Sequence, residues 1–410
     1  MSNSAILKAK AEIKESLFLT TFCMKCMGLS FEHPKTMTTY IIQKLMFILS
    51  VCAICYHVFG DIVYIGITMV HSPQVEDVVP LFHTFGYGAL GIAKGFALWY
   101  KKDKFKILIE ELAVIWPNPQ SDEEAQTFKE NTLATLHITH KWYFAINVLG
   151  VWFYNLTPVA IYIYELLLGQ NPEMGFVWHS WYPFDKHKPL AHIFVYFFEI
   201  FLGQTCVWVM VSTDLLFSGM ASYIGMILRM LQRRLEKIAS TDQTDDEIYK
   251  DIVANIKLHQ HLIRYCNDLS DSFSLSFLVN IVLSSINICC VVFVIFLLDP
   301  LLAASNKLYL GSALMQIGIL CWYADLIIHA NADVAVAAYN SCWYRTNPRC
   351  RRALLFLIQR AQKPIAFSAM GFTNVSLATY SSILTTSYSY FALAYTMYNK
   401  STQGRANRNA

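Results

Sequence analysis

Charge is what this sequence has least of. Only 15% of its 410 residues are Asp, Glu, Lys or Arg, while 55% are hydrophobic and the mean hydropathy is positive. Soluble domains typically carry about 25% charged residues. The shortage implies that lipid replaces water over much of the surface. No stretch has the balanced polar face and core of a separate soluble domain, so a single membrane domain is expected. The N-terminus lacks the uninterrupted apolar run of a cleavable signal peptide, because Lys8, Lys10, Lys14 and Lys25 break it into an amphipathic stretch. Ser2 stands where N-myristoylation needs glycine.

Metal and redox signatures are equally sparse. Cys23/Cys26 and Cys52/Cys55 repeat a Cys-x-x-Cys spacing, but the second pair lies within an apolar run without polar support. Free cysteine commonly serves as a small hydrophobe. His259 and His261 lack the carboxylate of a His-Glu-x-x-His pattern, which favours a solvated or packed face. No metal, cofactor or nucleic-acid partner is expected.

What is present is a series of apolar runs long enough to cross a bilayer core, which takes roughly 20 residues. They centre on Thr39 to Gly60, Val78 to Tyr100, Trp142 to Leu168, Leu190 to Met220, Ser274 to Leu298, Leu308 to Ile328 and Pro364 to Tyr398. Tyr339 to Ile358 is apolar but broken by Arg345, Pro348, Arg349, Arg351 and Arg352, and reads as a cytosolic or interfacial helix. The expectation is an all-α membrane protein with seven transmembrane helices.

Lys and Arg favour the cytoplasmic side. With the N-terminus inside, the inner segments hold 23 of the 32 basic residues. The outer segments hold six: Lys186, Lys188, Lys307, Lys400, Arg405 and Arg408. The N-terminus is therefore placed in the cytosol and the C-terminus outside. That is the reverse of a G-protein-coupled receptor, and Ile263-Arg264-Tyr265 is a poor echo of the Asp-Arg-Tyr triplet of those receptors. No cysteine falls in an assigned outer loop, which argues against an extracellular disulfide. Of the sequons at Asn155, Asn374 and Asn399, only the last is placed outside.

The last run is unusual. Between Gly371 and Tyr398 there is no charge, yet 15 of the 28 residues are Ser, Thr or Tyr. At 3.6 residues per turn, Ser382, Thr386, Ser389, Leu393, Thr396, Met397 and Lys400 fall near one face. Such a stripe lines a wet conduit, closed by dewetting at Leu393 and Met397, or it supplies hydroxyls as interhelical glue. Composition leaves both readings open.

The C-terminal third resembles insect odorant receptors. The resemblance runs through Ala338, Tyr339 and Trp343, Arg349 to Arg352, Gln359 to Pro364 and, most specifically, Ser387-Tyr388-Ser389-Tyr390-Phe391. Trp181-Tyr182-Pro183-Phe184-Asp185, Asp214, the length and the topology extend it over the whole chain. In gustatory receptors Thr-Tyr in the last helix is followed by Gln-Phe, where Thr386-Ser387 stands here. The shared co-receptor of the family is longer and ends differently.

The resemblance implies a tetrameric, weakly selective cation channel gated by volatile ligands, and no enzyme. It implies assembly with co-receptor subunits in the plasma membrane of olfactory sensory neurons, with odorant and permeant cations as further partners. Residues 1–38 become a cytosolic segment, 39–330 the first six spans with the odorant pocket, and 331–363 a cytosolic anchor helix. Residues 364–398 become the pore helix and 399–410 an extracellular tail. The narrow pore maps to Leu393, Thr396 and Met397, with Ser389 and Thr386 on the same stripe. The pocket maps to stretches carrying His83, Tyr87, Asn147, Gly150, Trp152, Tyr154, Tyr196, Phe197, Gln204 and Tyr309. His83, Asn147, Tyr154 and Gln204 are its candidate orienting groups. Glu199, an acid inside a span, is costly there and calls for a polar neighbour or a hydrated cavity.

Overall fold

In hydrocarbon every backbone N–H and C=O must be satisfied within the spanning segment, which makes helices of the long apolar runs. The computed structural model describes residues 3–32, 34, 36–71, 74–117, 122–239, 244–297 and 303–409. Ser2 and Leu298, named above, lie outside them, as do the side chains of Arg405 and Arg408.

Seven long helices carry the seven expected spans: α3 (Met37–His71), α4 (Val75–Tyr100), α6 (Glu123–Leu167), α7 (Pro189–Glu236), α8 (Asp245–Leu297), α9 (Ala304–Asn340) and α11 (Leu377–Asn409). Five are long and apolar enough to cross a membrane by length and composition alone. The other two are α4, with four glycines, Pro80 and Lys94, and the hydroxyl-rich α11.

At 1.5 Å per residue, the 45, 48 and 53 residues of α6, α7 and α8 span roughly 68–80 Å, more than twice the ~30 Å hydrocarbon core. Their surplus lies at the end of the bundle that carries the basic segments, here termed the basic end. There α1 (Asn3–Ser16), α2 (Phe18–Cys26), α5 (Lys102–Val114) and α10 (Pro348–Ala361) pack against it. Tyr223 on α7 donates to Ser16 Oγ at 2.6 Å, and Trp116 packs edge-on against Tyr223 while its indole N–H donates to Glu12 at 2.7 Å. Although burial pushes the Glu12 carboxyl up, the Lys129 ammonium and the Trp116 N–H hold it below its usual range.

The pillar of the bundle is α7. From Thr205 to Leu228 every residue except Trp208 is buried, and Ser212, Ser218, Gly219, Ser222 and Gly225 let neighbouring helices approach closely.

Three boundaries differ from the sequence expectation. The stretch Tyr339 to Ile358 is not one helix: α9 ends at Asn340, a 3-10 turn covers Trp343–Arg345, and Pro348 opens α10 with Asn347 accepting the Cys350 N–H at 2.9 Å as its N-cap. The seventh helix starts at Leu377 rather than Pro364. Residues 364–376 contain a small antiparallel hairpin of β1 (Ser368–Ala369) and β2 (Thr373–Asn374), turned by Met370 and Gly371 at positive φ. The segment expected as a tail after residue 398 continues α11 as helix to Asn409.

Candidate functional site

Near the end of the bundle opposite the basic end, four helices and one loop meet around a small cavity. Its walls are His83 and Tyr87 from α4, Asn147, Gly150, Val151 and Tyr154 from α6, Val207 from α7, Tyr309 and Ser312 from α9, and Trp178 from the α6–α7 loop. Its volume is about 30 Å³, the share of one water molecule.

Trp178 forms the lid. Its indole stacks on Tyr154 with centroids 5.0 Å apart and lies parallel to Tyr87 at 6.0 Å. Gly203 makes room for it, since a Cβ there would lie 3.2 Å from Trp178 Cζ2 and 3.3 Å from Val151 Cγ2. The lid loop is fastened from below by two buried acids. Glu199 Oε2 accepts the backbone N–H groups of Val177 and Trp178 at 2.8 and 3.1 Å, and Glu199 Oε1 accepts the Tyr182 hydroxyl at 3.1 Å. Ser180 donates to Asp61 and bonds His57 Nδ1 at 3.0 Å, while His57 packs edge-on to Trp178. In the same loop, burial and the Glu199 carboxylate push the Tyr182 phenol above its usual range, and burial lowers the Lys186 ammonium.

His83 supplies the polar feature of the cavity. Its ring meets Tyr309 edge-on at 4.4 Å, and Nε2 is buried with no hydrogen-bond partner among the described residues. Asn147 is engaged instead: Ser312 donates to its Oδ1 at 2.8 Å, and its Nδ2 donates to the Tyr143 carbonyl.

Six of the ten expected pocket residues therefore meet here: His83, Tyr87, Asn147, Gly150, Tyr154 and Tyr309. The other four do not line this cavity. Trp152 and Phe197 point outward, 44% and 66% exposed. Tyr196 is buried but donates to the Asn155 carbonyl at 2.6 Å, and the buried amide of Gln204 has no partner among the described residues. Sequence reasoning missed Trp178 and Val207, while Val151 and Ser312 lie within the expected stretches without having been singled out. The signal for Trp178 was Glu199, an acid in a span that needed donors from somewhere.

Toward the basic end from the cavity, a buried polar cluster ties the same four helices. Asp214 of α7 accepts Lys94 of α4 at 2.6 and 2.8 Å, Tyr143 of α6 at 2.8 Å and Gln316 of α9 at 3.1 Å. On α9, Tyr309 and Ser312 line the cavity, Gln316 joins the cluster, and Leu314 and Gly318 meet Tyr380 of α11; the Tyr380 hydroxyl donates to the Leu314 carbonyl at 3.4 Å.

One face of α11 packs on α8: Ile383 and Ser387 are buried, Ser387 donates to the Ser285 carbonyl at 3.0 Å, and Tyr395 meets Phe296 edge-on. The hydroxyl stripe lies on the more open side, where Ser382 and Thr386 edge a groove shared with Ile281 and Ser285 of α8. Ser382, Ser389, Leu393, Thr396, Met397 and Lys400 are exposed and Thr386 is half-buried. Thr386, Ser389 and Thr396 donate to carbonyls one turn back in their own helix, which leaves their lone pairs facing the open side.

The description "7tm Odorant receptor" belongs to a family model that matches residues 74–388. Odorant receptor 85c of Drosophila melanogaster is 30% identical over 366 residues, 87% of this chain and 92% of that protein. Odorant receptor 85b of the same species is 28% identical over 348 residues, 82% and 87% respectively. Among solved structures, the insect olfactory receptor OR5 from Machilis hrabei in complex with eugenol is similar with a TM-score of 0.80 at 15% identity, over 95% of this chain and 99% of that one.

Proposed function

Because the chain belongs to the 7tm odorant receptor family, multi-pass membrane receptors and channels rather than enzymes, we propose that it is the ligand-binding subunit of an odorant-gated, weakly selective cation channel. Its partners are co-receptor subunits, in a heterotetramer at the plasma membrane of olfactory sensory neurons with the N-terminus in the cytosol. The observation that carries this reading is the double duty of α9, which lines the aromatic cavity through Tyr309 and Ser312 and touches α11 through Leu314 and Gly318.

A cavity of about 30 Å³ does not hold an organic volatile without expanding. A ligand therefore favours whichever arrangement opens it, by binding that state more tightly. Expansion displaces α9 or the Trp178 lid, and a displaced α9 carries Tyr380 and α11 with it. His83 Nε2 gives the ligand one orienting partner among rings, the usual division of labour in such pockets. Splaying α11 widens the ring at Leu393, Thr396 and Met397 and wets it, while the charge-free stripe lets cations pass with little selection. Within the extended basic end, α10 and the adjoining parts of α7, α8 and α9 hold the subunits while the opposite halves move.

Excised-patch recording from membranes containing this subunit and the co-receptor tests the proposal. Odorant-evoked single-channel openings without nucleotides are expected. Responses that require cytosolic nucleotides, or no openings across a broad odorant panel, overturn it.

A further inference from the structure

A second cavity lies nearer the basic end, between α3, α4 and α7, with the turn after α2 as its floor. Its volume is about 310 Å³, room for roughly ten water-sized groups. Phe47, Ile54, Gly91, Gly95, Trp99 and Val209 line it, and its walls are almost wholly apolar. Gly91 and Gly95 hollow it out, one turn apart on the face of α4 that meets α7: a Cβ at Gly91 would lie 3.4 Å from Cys206 Sγ, and one at Gly95 3.4 Å from Val209 Cγ1. Val51, Phe96 and Trp99 at its rim are 42%, 50% and 49% exposed, so it opens sideways toward lipid.

Among its lining residues Ser50 carries the one hydroxyl, beside the Cys55 thiol and the Trp99 indole. Ser50 is 3% exposed, and its Oγ has no hydrogen-bond partner among the described residues. Thr205, Thr213 and Ser285 in neighbouring spans donate to their own helices four residues back. Leaving a buried hydroxyl unmatched costs about 1–3 kcal/mol. A hydrocarbon tail does not relieve that cost, because it offers no hydrogen-bond partner.

We infer that this cavity is a second ligand site, for a small lipophile of about ten heavy atoms with a single carbonyl or hydroxyl oxygen, which bonds Ser50 and enters from the bilayer. The site shares α4 with the aromatic cavity, Gly91 standing one turn from Tyr87, but its occupancy is independent of the gating proposal because it is read by binding alone.

The test is photolabelling of the purified full-length chain in nanodiscs with a ten-carbon methyl ketone bearing a mid-chain diazirine, followed by peptide mapping. Adducts on the 47–55 and 91–99 peptides are expected, displaced by decan-2-one and not by decane. S50A should lower this labelling roughly 2- to 10-fold, the worth of one hydrogen bond, while raising the melting temperature of the ligand-free protein. G95L should abolish it and leave labelling of the 147–154 peptide unchanged. Labelling confined to 147–154 overturns the inference. So does labelling at 47–55 that decane displaces equally and S50A does not alter, which marks an acyl-chain crevice.

Discussion

Glu199 holds Trp178 at both ends: its carboxylate accepts the Trp178 backbone N–H at 3.1 Å, and its own carbonyl accepts the Trp178 indole N–H at 3.2 Å. The acid that seemed misplaced in a span is thus the fastening of the cavity lid, matched by three donors of the α6–α7 loop. Replacing it by alanine leaves the N–H groups of Val177 and Trp178 buried and unmatched, at about 1–3 kcal/mol each. Glutamine can turn its carbonyl to both N–H groups and its amide to the Tyr182 hydroxyl. Odorant dose–response curves and melting temperatures should therefore rank wild type, then E199Q, then E199A. Identical values for all three variants contradict a fastening role.

Gly203 makes the complementary prediction on volume. Valine at this position collides with Trp178 and Val151, so G203V should displace the lid and weaken responses with normal surface expression. Removing the indole in G203V/W178A should restore responses and favour bulkier odorants. Such a rescue, scored by odorant panel, separates a clash at the lid from general misfolding.

How much of this was legible in sequence follows from what each feature depends on. Seven spans were readable because apolar length and basic asymmetry are local quantities. The hairpin before α11 was not, because 364–376 adjoins the last apolar run and was read into it, whereas the backbone turns at positive φ at Met370 and Gly371. For the site, aromatics in the right stretches were visible, but which of them turn inward is set by packing. Trp152 and Tyr154 are two residues apart on α6, and one faces outward while the other stacks on the lid. The Trp178 lid comes from a loop whose path no helical period encodes.

Lys94 and Asp214 form a buried ion pair supported by Tyr143 and Gln316. Removing one member of such a pair typically costs about 3–5 kcal/mol because the other charge is stranded, whereas replacing both is far milder. K94M should lower the yield of monodisperse protein sharply, and K94M/D214N should recover most of it, since asparagine still accepts one of the two remaining donors. Equal losses in the single and double variants would show that the pair is not coupled.

At the exposed face of α11, Leu393 and Met397 are 61% and 53% exposed in the single chain, so neither packs into its own bundle. Serine at either position makes a dewetted ring easier to fill. L393S and M397S should raise odorant-independent current or change relative permeability, read in whole-cell recordings with the co-receptor. Substitution of Ser387, which is buried against α8, should instead reduce folded protein without that signature.

The basic end carries a pH dependence whose sign can be worked out. His259 of α8 is buried and bonds Asn331 Oδ1 of α9 at 2.9 Å. The Asn331 amide donates to the Ala361 and Lys363 carbonyls, which orients its oxygen toward the imidazole and leaves His259 Nε2 as the donor. Burial pushes the imidazole below its usual 6.5; the Asn331 bond raises it in part, and Arg360 lowers it further. The folded protein then binds fewer protons here than the unfolded chain. This contribution to stability is complete above about pH 6.5 and is lost as pH falls toward the lower folded value. Because Asn331 links α9 to the end of α10, acidification should loosen the α10 contact first. Melting curves of the purified protein at about pH 7.5 and about pH 5.5 should show a larger drop for wild type than for H259Q, whose amide keeps a donor but does not titrate. If both proteins lose the same amount, the sensitivity belongs to another group and His259 is only packing.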